Sequence, residues 1–193
     1  MKVTIVKYNA GNNYSVWAAV KRLNVEPVIT DNPEVIKDAD RVIFPGVGEA
    51  KSAMKYLKLH GLDHVIKLLR QPVLGICLGL QLMCAYSDEN NTKCLNVLPG
   101  RVLRFPQGNK VPHMGWNTIT GLKGDLFKGI REGSYVYFVH SYYVELNNYT
   151  TAKTEYTVDF SAAVQKDNFF GCQFHPEKSG DVGAKVLRNF LLL

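Results

Sequence analysis

The stretch that most constrains this chain is Pro72-Val73-Leu74-Gly75-Ile76, an unbroken apolar run that stops at Cys77 before Leu78 to Tyr86, which reads as a helix. A strand that is apolar at every position has no side to give to water. It belongs inside a parallel sheet covered by helices on both faces. The residues before it repeat that pattern. Val3 to Val6 is a β-branched strand, and Tyr8 to Asn13 is turn chemistry leading to Ser15 as a candidate N-cap. Val16, Ala19, Val20 and Leu23 then recur at helical spacing, Pro27-Val28-Ile29 is a second strand, and Asn32-Pro33-Glu34 starts a second helix. Arg41 to Phe44 is a third strand, stopped by Pro45-Gly46-Val47-Gly48. Two helical segments follow, through Ala50, Met54 and Leu57 and then Leu62, Val65, Ile66 and Leu69. The expected class is α/β, with a mostly parallel central sheet flanked by helices.

The second half changes character. Val102 to Phe105, Tyr135 to Val139, Tyr142 to Leu146, Ala162 to Gln165 and Phe169 to Phe174 are short strands with turns between them, so some antiparallel pairing is expected there. Val182 to Leu192 closes the chain as an amphipathic helix. No repeat, low-complexity tract or linker interrupts the 193 residues, and one domain over 1–193 is the expectation. The net charge of +6 is scattered rather than gathered into a basic tract, which argues against a nucleic-acid partner. The N-terminal residues lack a signal-peptide core and no run is long enough to span a membrane. A soluble, cytoplasmic protein with reduced thiols at Cys77, Cys84, Cys94 and Cys172 is expected.

Gly75-Ile76-Cys77-Leu78-Gly79, between a strand and a helix, has the pattern of a nucleophile elbow with Cys in place of Ser. The glycines let other backbone come close, and the helix that starts after Cys77 favours a negative sulfur. Such a cysteine is expected to be exposed and reactive. The same five residues also suit a buried cysteine that merely packs a helix on a strand. Phe174-His175-Pro176-Glu177, after a strand, offers an imidazole and, two residues on along an extended segment, a carboxylate to orient it. Without its nucleophile, a strand-end His before Pro is equally a core or turn residue.

Pro45 to Gly48 lies beyond the third strand and, with the Leu78 N–H, can supply backbone donors to an oxyanion, or can be a plain turn. Pro112 to Asn117 and Tyr137 to Tyr142 mix aromatics with His113 and His140. Both look like site loops, and both suit core packing as well. His60 and His64 read as surface residues. Zinc is the chemical rival, since Cys172 and His175 have a ligand-like spacing. Yet the two fall on opposite faces of a strand and no Pro-Cys-x-x-Cys half-site is present, so no metal is expected.

Taken together, Pro45 to Gly48, Gly75 to Met83, Pro112 to Asn117, Tyr137 to Tyr142 and Gly171 to Gly180 resemble, in order, segments of the class I (triad) glutamine amidotransferases. Within that family the chain resembles, more narrowly, the glutaminase subunits of imidazole glycerol phosphate synthases, through Pro-Gly-Val-Gly and Pro-His-Met-Gly-Trp-Asn. The resemblance implies a flavodoxin-like α/β fold, no cofactor, and a triad of Cys77, His175 and Glu177. It implies oxyanion donors at Gly46, Val47 and Leu78, and substrate glutamine held near Gly48, Gln81, Glu89, His140, Ser141 and Tyr142. It also implies, as heterodimer partner, a (β/α)8 cyclase subunit met near Asn12, Trp116, Tyr137 and Lys178. Ammonia would pass there to make imidazole glycerol phosphate and aminoimidazole carboxamide ribonucleotide in histidine biosynthesis. Lys7 departs from the acidic residue common at its position.

A non-glycine Val47 in the oxyanion loop leads to the expectation that the chain alone hydrolyses glutamine poorly. Three alternatives compete with this reading: a different triad amidotransferase, a free-standing cysteine hydrolase and a non-catalytic binding module.

Overall fold

The computed structural model describes residues 1–108 and 110–193. In chain order the elements are β1 (Val3–Val6), α1 (Asn13–Lys21), β2 (Val28–Thr30), α2 (Pro33–Lys37), β3 (Arg41–Phe44), α3 (Ala50–Leu59), α4 (Leu62–Lys67), β4 (Val73–Ile76), α5 (Leu78–Met83), β5 (Tyr86–Ser87), β6 (Thr92–Lys93), β7 (Arg101–Arg104), β8 (His113–Ile119), β9 (Ser134–His140), β10 (Tyr142–Val144), β11 (Thr150–Tyr156), β12 (Val158–Lys166), β13 (Phe169–Cys172) and α6 (Gly180–Leu191). The main sheet runs β2-β1-β3-β4-β13-β12-β10-β7-β5-β6. The β2-β1-β3-β4-β13 half is parallel, whereas β12 is antiparallel to β13, β10 and β11. A separate antiparallel ribbon pairs β8 with β9.

Alternation along the strands divides the interior into two cores. Val42 and Phe44 of β3, with Val6 and Val73, meet α2, α3 and α4 on one face. Ile43 points the other way, with Ile5, Leu74 and Ile76, to meet α1, α6 and the inner face of the ribbon. All four residues of β4 are buried, as its unbroken apolar sequence requires. The apolar side chains that make it insoluble alone make it the centre of the molecule. Among the described residues no helix is long and apolar enough to cross a membrane.

Several local expectations are corrected. Asn12, not Ser15, caps α1, its side chain accepting the Ser15 N–H at 3.4 Å. The helix after Cys77 ends at Met83 rather than Tyr86. The loop that follows β6 folds back and donates to the carbonyls there, Leu95 N to Leu82 O at 2.8 Å and Asn96 N to Cys84 O at 2.8 Å, so the chain leaves the helix. Pro112 to Asn117, expected as a loop, is mainly strand and pairs with β9, where a strand was expected: His113↔His140 and Trp116↔Tyr137 are partners in the ribbon. Strand β5 begins at Tyr86, the last residue of the expected helix, and β6 and β11 had no expectation at all.

Candidate active site

Parallel strands end at one edge, and the residues beyond β1, β3, β4 and β13 gather there. Cys77 follows β4 directly, with φ +52° and ψ −107°, in the left-handed half of backbone space that a side chain occupies at a cost of about 1–3 kcal/mol. The surroundings hold it there. Its N–H donates to Cys172 O at 2.8 Å, continuing the β4–β13 pairing, and its carbonyl accepts the Gln81 N–H at 3.1 Å. The glycines are required by space. A Cβ on Gly79 would collide with the Phe44 carbonyl, and one on Gly75 would stand 2.8 Å from the Leu80 nitrogen. Cys77 is not exposed as expected. It is 5% exposed, because strand and helix close over the turn, and its sulfur is reached through a pocket.

His175 follows β13 and is near enough to Cys77 to interact with it. The His175–Glu177 geometry comes from a turn, not from an extended segment, since Pro176 opens a single 3-10 turn over Pro176–Lys178. That turn brings Glu177 Oε1 to 2.8 Å from His175 Nδ1, with both side chains almost fully buried. The ring therefore donates from Nδ1 and turns Nε2 toward Cys77. Nε2 is buried and, among the described residues, has no partner of ordinary hydrogen-bond geometry, yet the sulfur is near enough to act on the ring. Burial works to lower the His175 pKa. Interaction with Cys77 and Glu177 outweighs it and raises the value to about 10. The arrangement suits an imidazole that exchanges a proton with a neighbouring nucleophile. Ser179 anchors the turn, accepting the Tyr137 N–H at 2.9 Å and donating to His175 O at 2.6 Å.

The loop after β3 adopts the orientation opposite to that of an oxyanion site. The Leu78 N–H, expected to be free, donates to Gly46 O at 3.2 Å. In a trans peptide C=O and N–H point opposite ways, so the Val47 N–H is turned away from Leu78. Tyr8 fastens the neighbouring peptide, its buried hydroxyl donating to Pro45 O at 2.6 Å.

The pocket above Cys77 has a volume of about 320 Å³. Val47, Gly48, Leu78, Gln81, Glu89, His140, Ser141 and Tyr142 line it with Cys77, as do Pro112 and Val139 from the two segments read as site loops. Burial pushes the Glu89 carboxyl up from its ordinary range, and the Ala50 N–H at 2.7 Å partly opposes this. His140 donates from Nδ1 to Tyr142 O at 2.7 Å, which leaves Nε2 to accept from His113 Nδ1 at 3.0 Å. Both rings are neutral, burial holding His140 down to about 3 and His113 down to about 4.

The outer face of the ribbon carries Met114, Trp116 and Tyr135, each more than half exposed. Trp116 and Tyr137 meet edge to face at 6.0 Å, and Lys178 Nζ lies 5.9 Å above the Tyr137 ring. Asn12 differs from these three expected interface residues in that its side chain is used as a helix cap. Sequence reasoning missed Gln173, fully buried with Nε2 donating to Cys77 Sγ at 3.6 Å, and it missed Ser179. A polar residue inside an apolar strand end was the available signal for Gln173.

Residues 4–193 match the family described as Glutamine amidotransferase class-I. The chain is 59% identical over 196 residues to the imidazole glycerol phosphate synthase subunit HisH of Bacteroides fragilis, with 100% of both chains covered. It is 45% identical to the protein of that name from Archaeoglobus fulgidus, covering 98% of this chain and 97% of the other. A solved glutamine amidotransferase superposes with a TM-score of 0.78 at 19% identity, over 100% of this chain and 98% of that one. The structure of PurLQS from Thermotoga maritima gives 0.74 at 19% identity, over 99% and 97%. These two likenesses concern the fold.

Proposed function

The chain belongs to the class-I glutamine amidotransferase family, as a relative of the imidazole glycerol phosphate synthase subunits, and on that premise we propose that it hydrolyses glutamine through Cys77, His175 and Glu177 and delivers the ammonia to a cyclase subunit. The observation that carries this reading is a cysteine that lines a pocket and interacts with an imidazole whose Nδ1 is tied to Glu177 at 2.8 Å.

The Cys77 sulfur attacks the side-chain carbonyl carbon of glutamine, and the C=O electrons move onto oxygen. Collapse of this adduct breaks the C–N bond, and His175 gives its Nε2 proton to the departing ammonia. Water, deprotonated by the same ring, then attacks the thioester and releases glutamate. Glu177 keeps the ring's Nδ1–H pointed away from the sulfur throughout. Glu89, Gln81, Ser141 and Tyr142 surround the substrate's polar end. The oxyanion needs the Gly46–Val47 peptide to rotate, so that the Val47 N–H replaces the Gly46 carbonyl and the Leu78 N–H is released. Gly48, at φ +124°, gives the loop freedom for that rotation.

Ammonia is a useful nucleophile only until water protonates it, so a partner must cover the site's exit. The outer face of the ribbon, with Trp116, Tyr137 and Lys178, suits a (β/α)8 cyclase subunit in a heterodimer that makes imidazole glycerol phosphate and aminoimidazole carboxamide ribonucleotide. Such a pair belongs to histidine biosynthesis in the cytoplasm. The test is Cys77→Ala assayed with that cyclase. Glutamine-dependent turnover is lost while turnover with added ammonium salt persists. Retention of glutamine-dependent turnover refutes the assignment.

A further inference from the structure

Gln173 is fully buried at the end of β13, where an apolar side chain would fill the space without the cost of burying an amide. Its Oε1 accepts from Gln81 Nε2 at 3.1 Å, and its Nε2 donates to Cys77 Sγ at 3.6 Å. Oxygen and nitrogen of an amide are assigned from their partners, and here one partner leaves no choice. The Tyr142 carbonyl, 2.9 Å from Gln81, can only accept, so Gln81 presents its NH2 group there. The same NH2 group faces Gln173, which must answer with its oxygen. The Gln173 amide nitrogen is therefore turned to the sulfur.

We propose that Gln173 is a positioning residue for the reacting sulfur, its N–H favouring the anionic form over the thiol in a direction set by the Tyr142 carbonyl through Gln81. This rests on the reading of Cys77 as the nucleophile. The thiol has its own acceptor, Val139 O at 3.8 Å, and once deprotonated the sulfur faces that carbonyl without a proton between them. A donor on another side offsets the repulsion, and hydrogen bonds to charged groups are the stronger ones. The other titratable groups acting near the sulfur are His175 and Glu177 from the turn after β13, Cys172 on β13, Tyr8 after β1 and His140 on β9. Replacing Gln173 leaves all of them in place.

The test is the rate of Cys77 alkylation by iodoacetamide in the full chain, followed by mass spectrometry of the Cys77 peptide over roughly pH 5–10. The other thiols are buried, burial pushing Cys84 and Cys172 up and Cys94 up to about 12, which keeps them slow. Gln173→Met, close in size and without a donor, raises the midpoint of the profile by about one pH unit, seen as about tenfold slower alkylation on its acid side. Gln173→Glu keeps an oxygen for Gln81 and puts a second one at the sulfur. It raises the midpoint at neutral and higher pH, and it carries the test if the Met variant fails to fold.

Independently of any variant, the Gln173 side-chain amide proton resonance of the unaltered chain shifts with the same midpoint. A reactive Cys77 whose midpoint ignores both substitutions, or an amide resonance that ignores the titration, overturns the role of Gln173 alone. A lowered melting temperature with an unmoved profile means packing only and overturns it too. If Cys77 in the unaltered chain is alkylated no faster than the three buried thiols, the reading of Cys77 as the nucleophile falls as well.

Discussion

The Leu78 amide donates to the Gly46 carbonyl at 3.2 Å, so a group that an oxyanion would need is occupied from within the chain. Breaking that bond costs less when residue 47 resists rotation less, and Gly at a turn gains about 1 kcal/mol of conformational freedom over other residues. Val47→Gly raises partner-free glutaminase activity about fivefold and narrows the stimulation given by the cyclase. Ammonia release measured with and without partner checks this. Unchanged basal activity means that the loop orientation does not limit the isolated chain.

Glu177→Gln keeps the shape of the turn but offers the His175 Nδ1–H an amide that can rotate to present N–H instead of oxygen. The imidazole loses both its tautomer control and the carboxylate that helps raise its pKa to about 10. Turnover falls about 100-fold or more with little change in KM, because the ring acts in the bond-breaking steps rather than in binding. Steady-state kinetics in the presence of the cyclase decide the matter. A KM effect alone contradicts the assigned role.

Acid weakens the fold through His113 and His140. Each is neutral in the folded chain down to about 4 and about 3 respectively, whereas in the unfolded chain each takes up a proton near its ordinary value of 6.5. Between those limits the unfolded chain binds more protons, so stability falls as pH falls, by up to about 1.4 kcal/mol per pH unit for each ring. Urea midpoints measured from pH ~7 to pH ~5 fall accordingly, and His113→Gln flattens that dependence. An equally steep dependence in the variant rules out the pair as its source.

Trp116→Ala removes the largest exposed side chain of the ribbon without touching either core. Binding to the cyclase weakens about 30-fold, as for a central aromatic anchor, while the melting temperature of the isolated chain is unchanged. Calorimetric titration gives the answer, and undiminished affinity moves the interface elsewhere.

The first half of the fold was legible because its signals are local. An apolar strand, a glycine pair around Cys77 and a Pro at a helix start each act within a few residues. Strand β8 was not, because its inward positions His113, Gly115 and Asn117 carry no hydrophobic alternation, and His113 is buried by rings from distant segments, Phe138 of β9 and Tyr156 of β11 among them. The end of α5 depended on amides more than ten residues away. Cys77 and His175 could be matched as types, but the occupied Leu78 N–H depends on the rotation of one peptide, which no side-chain pattern encodes. Gln173 stayed hidden for a related reason: its meaning lies in what Gln81 and Tyr142 present to it.

The Tyr142 oxygen belongs to the main chain, and it takes Nδ1–H of His140 on one side and the Gln81 amide on the other. No codon change can turn that oxygen into a donor. Mutation can lengthen, shorten or cut either branch of contacts, but the sense in which protons point along them is inherited from the peptide bond. Drift in the surrounding side chains therefore erodes the strength of the arrangement before it can reverse its direction.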